Sequence, residues 1–171
     1  LAYVSQIKPS KGVYVLLEAM QGIDGVYVDC YWPLSEGVKE GDFNRHNVNY
    51  RGILNPEEVS SVLATYDALV FPTFYDGEGY PGVILEAYCE GLPVITTKWR
   101  CIPEIVDKDS GVLVEPQSVE QLREEIIHMS KDNNHFLNLK DGAVKKAEFF
   151  DALHWVGNFV DICGSLIACD K

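Results

Sequence analysis

Apolar positions along this chain fall into two alternating spacings. Short, nearly continuous apolar runs at 2–7, 26–31, 47–50, 68–71, 93–97 and 111–114 read as strands buried on both faces. Between them the apolar positions follow a helical period. Val13, Leu16, Leu17 and Met20 share one face, and so do Val59, Val62, Leu63 and Tyr66. Asn55-Pro-Glu-Glu58 is a helix start, with Asn as cap, Pro at the first position and Glu three residues after the cap. A further helix opens at Pro81–Gly82 and stops at Gly91, and Pro103–Val106 reads as a short helical turn. Ser118-Val-Glu-Gln121 is a capping box that opens a helix with Leu122, Ile126 and Met129 inward, and the remainder is mostly helical. Strands alternating with helices predict an α/β fold, a Rossmann-like parallel sheet with helices on both faces. In such sheets ligands sit outside the carboxyl ends of the strands. The loops Lys8–Gly12 and Asp76–Gly82 both follow strands, so both belong to that edge.

Composition narrows the picture. The 171 residues suffice for one domain with a real core, and a net charge of −12 disfavours nucleic acid and anionic lipid surfaces as partners. No run of eighteen apolar residues is present, so no transmembrane segment is expected. Five cysteines, an odd number without a C-x-x-C pair, suit a reducing cytoplasmic setting better than a disulfide framework or a zinc site. Four scattered histidines show no ligand spacing. The acidic pair in Asp107-Lys-Asp109 runs straight into Ser110-Gly111 and reads as a turn rather than a cation site. The chain opens on Leu1 with a strand almost at once, which predicts that 1–171 is one domain cut from a longer, two-domain protein.

The chemistry concentrates in D-G-E-G-Y-P-G-V-I-L-E, from Asp76 to Glu86. Strand, glycine-rich loop and helix start together form a cradle for phosphate, built from backbone N–H groups and a helix N-terminus. Glu78 in the loop and Glu86 in the helix, with seven residues between them, add carboxylates that each accept from two hydroxyls. A phosphate cradle beside diol acceptors points to a nucleotide sugar. The plainer readings are a solvated loop acid for Glu78 and an exposed helix acid for Glu86. Glycines on both sides of Glu78, and the apolar Val83, Ile84, Leu85, Ala87 and Tyr88 around Glu86, favour the functional one.

These segments resemble the C-terminal, donor-binding half of a GT-B glycosyltransferase, and more narrowly the retaining family four with its E-x7-E motif. Tyr3–Gly12, Y-V-S-Q-I-K-P-S-K-G, is similar to the family's F-V-G-R-L-x-x-x-K-G. Tyr50–Val59 resembles the segment beside the base pocket. Glu78–Ile95, E-G-Y-P-G-V-I-L-E-A-Y-C-E-G-L-P-V-I, is the most specific match, and P-E-I-V and G-V-L-V-E-P complete it. The resemblance implies that Glu78 contacts hydroxyls of the transferred sugar, that Glu86 holds the ribose diol and that Lys11 neutralises the diphosphate. It also implies that Gly79, Tyr80, Pro81 and Gly82 meet phosphate and sugar. Catalysis would then rest on Glu78 and Lys11, without metal or other cofactor. Three departures stand out. Gln6 occupies the place of a usual arginine, Arg100-Cys101 that of a frequent Gly-Gly, and Trp32 that of a frequent glycine. Arg51 and Arg100 are candidates for the lost charge, and Lys98 is a further cation near the same edge. The implied activity is transfer of a sugar from a nucleoside diphosphate to an acceptor glycan or lipid-linked sugar bound by an absent N-terminal domain. The implied setting is surface polysaccharide synthesis in the cytoplasm, with the whole protein expected to associate peripherally with the inner face of the membrane. The alternatives are a non-catalytic scaffold domain on this fold and a nucleotide-sugar epimerase.

Overall fold

The computed structural model describes residues 1–169 and holds a six-stranded, all-parallel sheet. Its strands are β1 (Ala2–Val4), β2 (Val28–Tyr31), β3 (Val48–Gly52), β4 (Leu69–Phe71), β5 (Val94–Thr97) and β6 (Gly111–Val114), in the order β3-β2-β1-β4-β5-β6. Helices α1 (Val13–Ala19), α2 (Val59–Leu63), α3 (Gly82–Cys89), α4 (Ile102–Ile105), α5 (Val119–Lys131), α6 (Asn133–Phe149) and α7 (Ala152–Cys169) make the crossovers and the C-terminal run. Two apolar clusters, one on each face, bury the sheet. Tyr3, Leu16, Val28, Val70, Leu122 and Ile126 belong to one, and Val4, Leu63, Leu69, Phe71, Ile84 and Ile105 to the other. This is the predicted Rossmann-like α/β fold. The last two residues of the expected domain, 170–171, lie outside the described residues.

Strand order reverses between β1 and β4, and this is the topological switch point where such sheets hold ligands. There the recorded register is Ala2 opposite Leu69, near the amino ends, whereas β4 and β5 pair at three positions. The first strand is shorter than its apolar run because the chain leaves the sheet at Ser5, and Ile7 keeps only an isolated bridge to Leu34. β3 is longer than expected, five residues against four. The predicted Asn55 helix begins as a 3-10 turn, Pro56–Glu58, whose Glu58 carboxylate accepts from the Asn55 backbone N–H at 3.2 Å. Ser118 caps α5 as expected by accepting from the Gln121 N–H, with Leu122, Ile126 and Met129 buried. Asp107 accepts from Asp109 N–H, Ser110 N–H and Ser110 Oγ, and pairs with Lys146 on α6 at 2.8 Å. The Asp107–Asp109 segment is therefore a turn fastened to α6, as its sequence predicts. Among the described residues no helix is long and apolar enough to cross a membrane.

Candidate functional site

The two loops that follow β1 and β4 meet at the switch point. The first holds a 3-10 turn, Pro9–Lys11, closed by Gly12 at φ 79°. A Cβ at Gly12 would lie 2.0 Å from the Pro72 carbonyl oxygen, so only glycine lets the loops approach this closely. The Phe74 N–H donates to the Ser10 carbonyl at 2.9 Å, and the Tyr3 hydroxyl donates to the Lys11 carbonyl at 3.1 Å. The β4 loop is held from the other side, by Thr97 Oγ1 donating to the Thr73 carbonyl and by Trp99 Nε1 donating to the Tyr75 carbonyl at 2.8 Å.

Between these loops lies a cleft of about 250 Å³ whose wall includes Lys11, Trp32, Pro56, Glu78, Gly82 and Glu86. Lys11 and Glu78, 67 positions apart in sequence, form an ion pair at 2.7 Å with side chains only 14% and 8% exposed. Thr73 Oγ1 donates to the same oxygen, Glu78 Oε2, also at 2.7 Å. Oε1 of Glu78 has no recorded protein donor among the described residues and can accept from a ligand hydroxyl. The Lys11 ammonium also sits 4.9 Å from the Tyr75 ring centre and 5.5 Å from that of Phe71. Aromatic faces and one carboxylate thus hold the cation at the cleft floor.

Glu86 stands one helical turn beyond Gly82 on the exposed side of α3 and lines the same cleft. Partial desolvation there holds its carboxyl above its ordinary range. No side chain caps α3 at Pro81, and the Ile84 N–H donates to the Pro81 carbonyl at 3.1 Å, which leaves the Gly82 and Val83 N–H groups for a ligand. A Cβ added at Gly79 or Gly82 would meet nothing, and neither glycine has positive φ. Neither packing nor backbone conformation requires glycine at these two positions, and the space in front of the helix stays open.

The structure therefore brings Lys11, Glu78, Pro81, Gly82 and Glu86 to one cleft, whereas Gly79 is exposed and outside its lining. It does not bring Gln6 or Tyr80 into the lining. Gln6 is exposed beyond β1, and the exposed Tyr80 donates its hydroxyl to Glu104 at 2.9 Å. Of the cations proposed to replace the missing arginine, Arg51 pairs with Asp29 at 2.9 Å. Burial alone would raise the Asp29 carboxyl, but hydrogen bonds from Asn49, Arg51 and Tyr66 outweigh it and hold it below the usual range. This cluster borders a larger hollow of about 560 Å³ at the amino ends of the strands, the edge opposite the loops. Arg100 pairs with Asp76 at 3.5 Å, and Lys98 pairs with Glu115 at 2.7 Å.

Three participants escaped the sequence reading. Thr73 fixes Glu78, and a hydroxyl just past a buried strand was the available signal. Tyr75 shares its ring between Lys11 and Lys8, whose Nζ lies 3.9 Å from the ring centre. Lys8 is itself buried and faces Glu36 at 3.5 Å. The sequence departures also acquire a backbone meaning. Trp32 has φ 112° and Arg100 φ 50°, left-handed conformations that favour glycine, and Trp32 forms one wall of the cleft.

The sequence model described as "Glycosyl transferases group 1" matches residues 1–132. Among curated proteins, the chain is 29% identical over 148 residues to the O-antigen chain mannosyltransferase B of Escherichia coli, covering 77% of this chain and 37% of that protein. It is also 29% identical over 144 residues to the GDP-mannose-dependent monoacylated alpha-(1-6)-phosphatidylinositol monomannoside mannosyltransferase of Corynebacterium glutamicum, covering 77% and 38%. The chain thus spans well under half the length of these relatives. Among solved structures, Anabaena HepE in complex with UDP and glucose superposes with a TM-score of 0.82 at 19% identity, covering 96% of this chain and 47% of that one. The C-terminal domain of the group 1 protein LpcC from Francisella tularensis superposes at 0.71 with 20% identity, covering 87% and 84%. With its matched segment carrying both loops and the whole cleft, this chain belongs to the group 1 glycosyl transferases.

Proposed function

We propose that this chain is the donor-binding domain of a retaining glycosyltransferase that takes a nucleoside-diphosphate sugar. The observation that carries the reading is the Lys11–Glu78 pair, enclosed where β1 and β4 part and facing the open N-terminus of α3. Lys11 and the α3 amides receive the diphosphate, whose leaving oxygen gathers negative charge as the glycosidic bond breaks. Glu86 accepts from the ribose diol. Glu78, with Oε2 occupied by Lys11 and Thr73, offers Oε1 to the sugar and orients it. Trp32 and Pro56 flank the base end of the cleft. The sugar carbon loses its bond to the phosphate oxygen and gains one to the acceptor oxygen on the same face, while the acceptor proton passes to the departing phosphate. Lysine and amides supply the charge, with no divalent ion required. A second domain, outside this chain, supplies the acceptor site.

The names of the relatives, an O-antigen mannosyltransferase and a GDP-mannose-dependent enzyme, support a hexose donor and a role in surface polysaccharide or glycolipid synthesis. The HepE complex with UDP supports the nucleotide class. Free thiols at Cys30, Cys89, Cys101 and Cys163 favour work in the cytoplasm. Isothermal titration with UDP, GDP, ADP and their hexose conjugates tests the reading. Saturable binding of one nucleotide series, lost in Lys11→Ala, is expected. Equal, non-saturating heats for all of them would refute it.

A further inference from the structure

Away from the cleft, the corner where α5 gives way to α6 gathers two imidazoles and two carboxylates. Glu125 and His128 lie one turn apart on α5, Asp132 breaks the helix, and His135 follows in the first turn of α6. The His128 ring is half exposed. Its Nδ1 is 3.7 Å from Glu125 Oε2 and its Nε2 is 3.7 Å from Asp132 Oδ2. These separations are too long for hydrogen bonds, so both nitrogens keep capacity for a closer partner. His135 stacks on His128 with ring centres 4.4 Å apart and planes 12° from parallel. One donor atom each from Glu125, His128 and His135 lies within 4.8 Å of the other two. A second observation is independent of this clustering. His135 Nε2 is shut from solvent and has no hydrogen-bond partner, unlike every other buried side-chain nitrogen or oxygen among the described residues. Solvated helix acids beside a surface histidine would account for Glu125 and His128. They leave the orphaned ring nitrogen unexplained.

We propose that Glu125, His128 and His135 form a binding site for a divalent transition ion of the zinc class, with water completing its coordination. Asp132 Oδ1 already accepts from the His135 backbone N–H at 3.0 Å, which fixes that carboxylate at the corner. Two imidazole nitrogens and a carboxylate oxygen make a borderline donor set suited to zinc, nickel or cobalt, whereas magnesium and calcium favour oxygen alone. Bonds of about 2.0–2.1 Å in a tetrahedral site bring donors to about 3.3 Å from one another. Closing from the present spacing needs the exposed His128 ring to turn out of its stack while His135 stays in place. The ion would tie the end of α5 to the start of α6. None of these residues lines the nucleotide cleft, so the site stands apart from the proposed sugar transfer.

Titrating the untagged chain with zinc chloride by calorimetry, and with cobalt by visible absorption, tests this. The expected result is one ion per chain and visible cobalt bands without a near-ultraviolet thiolate band. Affinity should be at least about 10-fold weaker in both His128→Ala and His135→Ala and reduced in Glu125→Gln, with melting temperature rising with zinc concentration in the parent alone. If His135→Ala fails to fold, the exposed His128→Ala decides the matter by itself. No binding, unchanged affinity in His128→Ala, or a thiolate band assigning the ion to the cysteines would overturn the proposal.

Discussion

Replacing Glu78 with alanine removes the anion paired with Lys11, and the geometry makes its consequences separable. Lys11 and Glu78 are 2.7 Å apart with both side chains largely enclosed. Losing one partner of a buried pair leaves the other charged and unpaired, at a cost of about 3–5 kcal/mol. Tyr75 and Phe71 near the ammonium soften that penalty, so a loss of stability of about 2–3 kcal/mol is expected. A diphosphate would restore an anion at Lys11. The alanine variant should therefore bind free nucleoside diphosphate at least as tightly as the parent and regain much of its lost melting temperature when saturated. The sugar conjugate should behave oppositely, because Glu78 Oε1 is the proposed acceptor for its hydroxyl. Its affinity relative to the free diphosphate should fall by about 1.5–3 kcal/mol, the worth of a hydrogen bond to a charged group. Calorimetry with both ligands on both proteins, alongside thermal unfolding, provides the comparison. Glu78→Gln retains an acceptor for Thr73 and guards against loss of fold. If either variant loses the free diphosphate as severely as the conjugate, the assignment of Glu78 to the sugar is wrong.

Other outcomes follow from the same geometry. Glu86→Gln should weaken free diphosphate and conjugate alike, by about 1.5–3 kcal/mol, since the ribose is common to both. The folded pKa of Glu86 lies above its unfolded value, so the folded state holds that proton more tightly. Its contribution to stability is present below the unfolded pKa and lost as pH rises through the folded one. Without ligand, Glu86→Gln should thus be slightly more stable at neutral pH. Nucleotide affinity should decline as pH falls through the raised pKa in the parent, and a titration of Glu86→Gln should be flat there. Trp32→Ala should weaken nucleoside diphosphates but not pyrophosphate, by about 1–3 kcal/mol if the indole stacks on the base; equal loss of both would move the base elsewhere. Gly12→Ala should cost more than about 2 kcal/mol in urea unfolding, from its positive φ and the Pro72 contact. Adding magnesium or manganese should leave donor affinity unchanged, whereas a large gain abolished in Asp109→Ala would require a cation site at that turn.

What the sequence made legible were features decided locally. The run from Gly111 to Val114 became β6 without change, Ser118 capped α5, and the turn chemistry of Asp107–Ser110 held, because neighbouring residues determine each. The parallel sheet followed from the alternation of strands and helices, and with it the edge where the site lies. Long-range electrostatics were not legible. The glycines beside Glu78 point to a functional loop acid, but nothing local shows that folding encloses it against a lysine 67 residues away. Arg51 looked free to serve the cleft, but β2 carries Asp29 beside it on the next strand. Tyr80 and Glu104, 24 positions apart, find each other outside the cleft lining. Trp32 and Arg100 were visible only as unusual residues, and the left-handed backbone beneath them belongs to the fold. The stacked pair His128 and His135 shows no ligand spacing because a helix break intervenes.

The cleft between the β1 and β4 loops is proposed to receive a nucleoside diphosphate. Backbone amide spectra recorded while titrating UDP, GDP and ADP test this most directly. One of these should saturate with a Kd of roughly 0.1–1 mM, or about −4 to −5.5 kcal/mol. The shifts should centre on Lys11, Gly79, Gly82, Val83 and Glu86, and should vanish in Lys11→Ala. Saturable shifts confined to the hollow beside Asp29 and Arg51, or no saturable shifts with any of the three, would contradict the account.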